Sequence, residues 1–137
     1  MKKQKSKKFI ELCQKYGVDP DVIPEILTYE EACKVAKLDP KKERDPMQRS
    51  IVIAEAFRKA AKFKTNYRDK NQRRWVPVFE MTPSGLVFSN TYFEIWISGS
   101  TAAVGAPFVL PSDDHAKFVG KHFLPQYAKW IVSYKVK

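Results

Sequence analysis

The sequence predicts an α+β fold: N-terminal helices, a small antiparallel β-meander of three to four strands, and a C-terminal helix packed on the sheet. Three observations carry this. Up to Arg74 the apolar residues recur at helical spacing, with two helix-start signals. From Trp75 the apolar period drops to two. At Ser112 a helix start returns. Helices followed by strands, without alternating strand–helix units, belong to the α+β class. At 137 residues the chain reads as one domain, 28–137, preceded by a basic helix and Pro-containing connector over 1–27.

The first helix spans 3–16. Phe9, Ile10, Cys13 and Tyr16 form its apolar stripe, and Gly17 ends it. Its lysines sit badly beside a helix N-terminus, so the first turn should fray. Val18 to Pro24 is a connector whose Val22, Ile23, Ile26 and Leu27 tack onto the core. Thr28 with Glu31 makes a capping box, and Leu38-Asp-Pro40 stops the helix it opens. Asp45, Pro46 and Gln48 open the longest helix, in which Ile51 to Ala54, Ala56, Phe57, Ala60 and Ala61 fill much of the circumference.

Trp75 to Phe79 reads as a strand that Pro77 confines to an edge or bulge. Pro83-Ser-Gly85 is a turn. Leu86 to Ile97 alternates as one long strand, or as two with a break near Ser89-Asn90. Gly99 to Gly105 is a loop, and Ala106 to Leu110 a last strand. Ser112 caps the final helix, with Asp113 and Asp114 in its first turn. Val119, Phe123, Tyr127, Trp130, Ile131 and Tyr134 mark its buried face. Pro125 should interrupt it near Lys121–His122.

Charge is the one functional signal. The net charge is +10, and it is uneven. Residues 1–74 hold 20 Lys/Arg against 11 Asp/Glu, while residues 75–137 hold 5 against 4. Phe57 to Arg74 concentrates Arg58, Lys59, Lys62, Lys64, Arg68, Lys70, Arg73 and Arg74 around one acid, Asp69. Phe57, Phe63, Tyr67 and Trp75 are interleaved. Such a stripe can follow a phosphate backbone, releasing counterions while an aromatic stacks on bases. It can equally be a solvated face or dock an acidic protein. The expected contact set is Arg58, Lys62, Lys64, Tyr67, Arg68, Lys70, Arg73 and Arg74, with non-specific, salt-sensitive binding. The Lys2–Lys8 segment is a weaker signal of the same kind.

Chemistry is otherwise sparse, and no catalytic, cofactor or metal residues are expected. Cys13 and Cys33 fall on apolar helix faces as buried free thiols and lack metal-binding spacing. His115 and His122 lie two turns apart. Asp113 and Asp114 read as helix N-terminal acids. Glu80 and Glu94 could face each other across a hairpin. Gly99-Ser100-Thr101 lacks a nucleophile-elbow setting, and no hydroxyl has an evident base. No apolar run of membrane-spanning length occurs and no signal-peptide core follows the basic start, so a soluble, intracellular protein without a membrane partner is expected.

Several segments then form a pattern: Thr28-Tyr-Glu-Glu-Ala-Cys-Lys34, Leu38-Asp-Pro40, Ile51-Val-Ile-Ala-Glu-Ala56, Asn71-Gln-Arg-Arg-Trp-Val-Pro-Val-Phe79, Val104-Gly105, and Gly120-Lys-His-Phe-Leu124 followed by Tyr127. Over roughly residues 28–134 the chain resembles a family of small uncharacterised proteins of Bacteroidales phages and prophages, including crAss-like phages. The Asn71–Phe79 run is the most distinctive part. Ala106-Pro-Phe-Val-Leu-Pro111 departs from the polar, basic strand of that family, and Pro125 falls where its last helix runs on. The resemblance implies a phage protein acting in the host bacterial cytoplasm or in a virion. Two roles are expected: a non-enzymatic accessory protein on nucleic acid, DNA or RNA, or a virion component (capsid, portal or tail accessory) docking an acidic phage protein. An anti-defence inhibitor stands third and an enzyme last.

Overall fold

The computed structural model describes residues 4–65, 71–95 and 108–131. They form five helices and a two-stranded antiparallel sheet: α1 (Lys7–Tyr16), α2 (Tyr29–Ala36), α3 (Pro46–Ala60), β1 (Arg73–Thr82), β2 (Gly85–Ile95), α4 (Asp113–His122) and α5 (Leu124–Ile131). The class is α+β.

Caps set the helix limits. Ser6 accepts the Phe9 amide and starts α1, and Gly17, at φ 74°, ends it in the left-handed conformation glycine favours. Thr28 accepts the Glu31 amide at 3.1 Å, but the Glu31 carboxylate returns to the Leu27 amide rather than to that of Thr28. The box at Asp45 and Gln48 is reciprocal, with bonds of 2.8 and 2.9 Å. Ser112 caps α4. Pro125 breaks the last helical stretch in two. α4 ends at His122, and Pro125 occupies the first turn of α5, where its missing N–H costs nothing.

Phe118 on α4 joins the helices. Its ring lies 5.7 Å from Phe9 of α1, 5.9 Å from Phe57 of α3 and 5.6 Å from Tyr16. Cys13, Ile23, Ile26, Ile53, Val119 and Tyr127 complete one continuous core that α1 and the connector share with the rest. Both cysteines are buried and free, and burial pushes the Cys13 thiol up to about 11.

Three expectations need correction, and the strand count is met only in part. Val22 is 45 % exposed, because the connector turns Ile23 inward instead. Ala60 and Ala61 are also exposed, since α3 runs past the edge of the core there. The sheet has two strands among the described residues, and the expected third and fourth are not among them. Leu110 joins β1 by a single bridge to Trp75 (N···O 2.7 and 3.0 Å). Glu80 pairs with Val87 and Glu94 with Arg74, so the two acids do not oppose each other. Phe108 and Val109 of the proposed last strand are not extended into a ladder, and Ala106, Pro107, the Gly99–Gly105 loop, Trp96, Ile97 and Tyr134 lie outside the described residues.

β2 runs unbroken through Ser89-Asn90, with a bulge there. Val78 pairs with Asn90 and Phe79 with Phe88, leaving Ser89 as the extra residue. The hairpin lies on α4 at Gly120. A Cβ there would come within 2.6 Å of the Phe88 ring and 2.7 Å of Pro77 Cβ. Gly120→Ala should therefore force hairpin and helix apart and cost roughly 1–3 kcal/mol. Urea denaturation of the variant checks this; an unchanged midpoint would mean that the hairpin yields freely.

Candidate nucleic-acid interface

The basic stretch does not act as one surface. Three of its cations have structural duties. Arg58, half-buried on α3, donates to the Val109 carbonyl at 2.9 Å. Lys59 donates to the Ala36 carbonyl at 2.9 Å, satisfying a C-terminal carbonyl of α2. Arg74 is 1 % exposed, its side chain committed inside the fold. It therefore leaves the expected contact set. Strand alternation is the reason: Arg73 and Arg74 are neighbours in sequence but project to opposite faces of β1. Arg58 likewise offers a phosphate less than its sequence position promised. Arg73 is exposed but not loose, with its guanidinium 4.6 Å from the centre of the Phe93 ring.

Lys62, Lys64 and Arg73 remain as exposed cations of the stretch, and the fold brings them together. α3 ends in a Schellman-type turn. The Lys62 amide bonds the Lys59 carbonyl at 3.0 Å and the Phe63 amide bonds that of Arg58 at 2.9 Å. Gln72 Nε2 then donates to the Lys64 carbonyl at 2.9 Å. That bond pins the end of the α3 turn against the residue before Arg73. Tyr67, Arg68 and Lys70 lie outside the described residues, between these two anchored ends.

Trp75 is half-buried. It packs on the core and lies 5.0 Å from Phe93, so it supports the site from beneath rather than stacking on a base. The aromatic that sequence reasoning missed is Tyr92. It is 59 % exposed, and its ring lies 6.3 Å from Phe93 at an interplanar angle of 20°. The alternation of β2 placed Tyr92 opposite Phe93, and that pattern was the available signal. Cations elsewhere repeat the lesson of Arg58. Lys5 donates to the Pro20 and Ile23 carbonyls, Arg44 to Tyr29 and the Asp39 carbonyl, and Lys121 to the Tyr16 carbonyl.

Both histidines serve packing. A carbonyl only accepts, so His122 Nε2 carries the proton it gives to Leu27 at 2.8 Å, while Nδ1 meets the Tyr16 hydroxyl at 3.0 Å. His115 is 3 % exposed. Its Nδ1 lies 2.6 Å from Ser112 Oγ, and Nε2 has no partner among the described residues. This serine and histidine share one helix turn, half-buried and buried respectively, where the serine is already the helix cap. Among the described residues no three His, Cys, Asp or Glu side chains converge as a metal site, and no helix is long and apolar enough to cross a membrane.

Lys62, at φ 55°, and Lys37, at φ 60°, hold the left-handed position at helix ends where glycine is the usual residue. Lys62→Gly and Lys37→Gly should each stabilise the fold by about 1 kcal/mol. Matched urea titrations measure this, and a loss of stability in both would contradict the backbone assignment. Burial lowers the His115 pKa to about 4, with Asp114 opposing and Lys5 assisting. The unfolded chain therefore binds the extra proton first. Stability from this group is complete above about pH 6.5 and is lost as pH falls towards 4, by roughly 3 kcal/mol. Denaturant melts from pH 7 to 4 should show that loss, and His115→Leu should flatten it.

No protein-family model matches the chain, and no curated protein or solved structure is significantly similar to it.

Proposed function

We propose that this chain is a non-enzymatic phage accessory protein that binds nucleic acid without sequence preference, through the junction of α3 and β1. The observation that carries the reading is the Gln72–Lys64 bond, which sets exposed Lys62 and Lys64 beside exposed Arg73. Three cations clustered at one corner raise the local potential beyond what scattered lysines achieve. Phosphates would displace their counterions there, so binding would weaken steeply with salt. The surroundings suit this use. Among the described residues no acid pairs with Lys62, Lys64 or Arg73, and the one ion pair is Lys117–Asp113, at 3.2 Å on α4. The phage setting rests on the resemblance carried by Asn71–Phe79, the run that builds β1.

The second reading is a virion component that docks an acidic protein. It is favoured by the hairpin tip, where Met81 is 57 % exposed beside exposed Val87. Apolar groups at a strand end suit a protein surface better than a phosphate backbone.

Charge reversal decides between these readings. Lys62, Lys64 and Arg73 are all exposed, so changing all three to Glu should leave the fold intact. Arg74 is left alone because its buried side chain would report on folding instead. In fluorescence anisotropy across a salt series, the wild type should bind oligonucleotides at low salt. The triple variant should lose binding, and any residual log–log salt slope should fall by about 2 for single strands or about 3 for duplex. Lys62→Gly should weaken binding where Lys37→Gly does not. Wild-type protein that binds no nucleic acid at low salt would reject this function and favour the protein-docking alternative.

A further inference from the structure

We infer that the base of the hairpin takes single-stranded rather than duplex nucleic acid, with Arg73 on a phosphate and Tyr92 beneath a base. This rests on the proposed function and specifies the ligand of that same site. Two features set the hairpin base apart from a plain basic patch. The first is an exposed cation held in place. Arg73 lies over Phe93 at 4.6 Å, and Trp75 braces Phe93 from its other neighbour position at 5.0 Å. A guanidinium already fixed on a ring presents its planar fork with less freedom to lose on meeting a phosphate. The second is an exposed aromatic face beside it. Tyr92 lies 6.3 Å from the same Phe93 ring and nearly parallel to it. Its ring is 59 % exposed, more than any other large apolar side chain among the described residues.

Phe93 thus lies between a cation and an open ring: Arg73 shares its face of the hairpin, while Tyr92, paired with Val76, starts from the other face and meets the Phe93 ring at 6.3 Å. Duplex DNA has its bases stacked on one another and offers no open π-face to Tyr92. An unpaired base does, and every base has such a face, so stacking adds affinity without sequence preference. The outer face of the hairpin supports this division of labour. Val76 and Val78 line it, half-buried, and Glu80 is exposed there, so the cationic corner does not extend along the strands as a duplex track would require. The ligand would cross the hairpin base, passing from Lys62 and Lys64 to Arg73 and then Tyr92.

The test compares wild type, Tyr92→Ala and Tyr92→Phe, using a fluorescein-labelled oligo-dT and a labelled duplex of equal length at low salt. The side chain of Tyr92 is mostly outside the core, and thermal melts confirm that the variants are folded. Wild type should bind oligo-dT more tightly than duplex. Tyr92→Ala should lose about tenfold or more on oligo-dT and little on duplex, while Tyr92→Phe keeps the ring and the affinity. Equal losses on both probes, no loss on either, or a wild-type preference for duplex would overturn the single-strand inference and leave the proposed function standing. Wild type binding neither probe would overturn both.

Discussion

The approach of the hairpin to α4 at Gly120 is the constraint on which the arrangement of this molecule depends. A two-stranded sheet is marginal alone and needs a layer to lie against. α4 supplies it, and only a residue without a side chain lets the Phe88 ring and Pro77 reach the helix backbone. On the helix side, Phe118 binds α1 and α3 into the same unit. Further ties converge on this layer. Thr91 donates to Asp113, Lys121 lies 5.4 Å from the Phe88 ring, and Phe79 packs on Tyr127 at 4.9 Å. The hairpin base is therefore fixed relative to the end of α3, and with it the position of Arg73 relative to Lys62 and Lys64.

Much of the charge in this chain is structural. Lysine and arginine satisfy carbonyls at helix ends and in the proline-punctuated connector, where no amide is available to do so. A charge-assisted bond to such a carbonyl is worth more than an exposed ion pair. It also removes the cation from service elsewhere. A net charge of +10 therefore overstates the surface available to a polyanion, and the cations that matter are those left without such a duty.

Local signals were legible in the sequence, and distant ones were not. Thr28, Asp45 and Ser112 announced their helices because a cap needs only the next three residues. Gly17 and Pro125 marked ends through their own backbone geometry, and the irregularity near Ser89-Asn90 proved to be a bulge. The strand count of the meander was not legible, because it depends on pairing across the chain; among the described residues Leu110 reaches β1 at only one residue pair. Within the site, the exposed Lys62, Lys64 and Arg73 were legible, while Arg74 was not distinguishable from Arg73. Composition sees a charge but not the face on which a strand presents it. Tyr92 was overlooked for a related reason. It sits far from the basic stretch in sequence, and only the Phe93 ring, which both Arg73 and Tyr92 approach, links it to Arg73.

The two kinds of cation at the corner should contribute differently. Lys62 and Lys64 end long, mobile, fully hydrated stems, so they act as point charges whose pull fades over a Debye length. On the proposed function they would draw a polyanion in and set the salt dependence without fixing its position. Arg73 has already given up much of its freedom to Phe93 and holds a defined plane. If a strand is held in one register, Arg73 holds it. On the proposed function the corner would work in sequence: long-range attraction first, a fixed contact second, and stacking only where a base is free to stack.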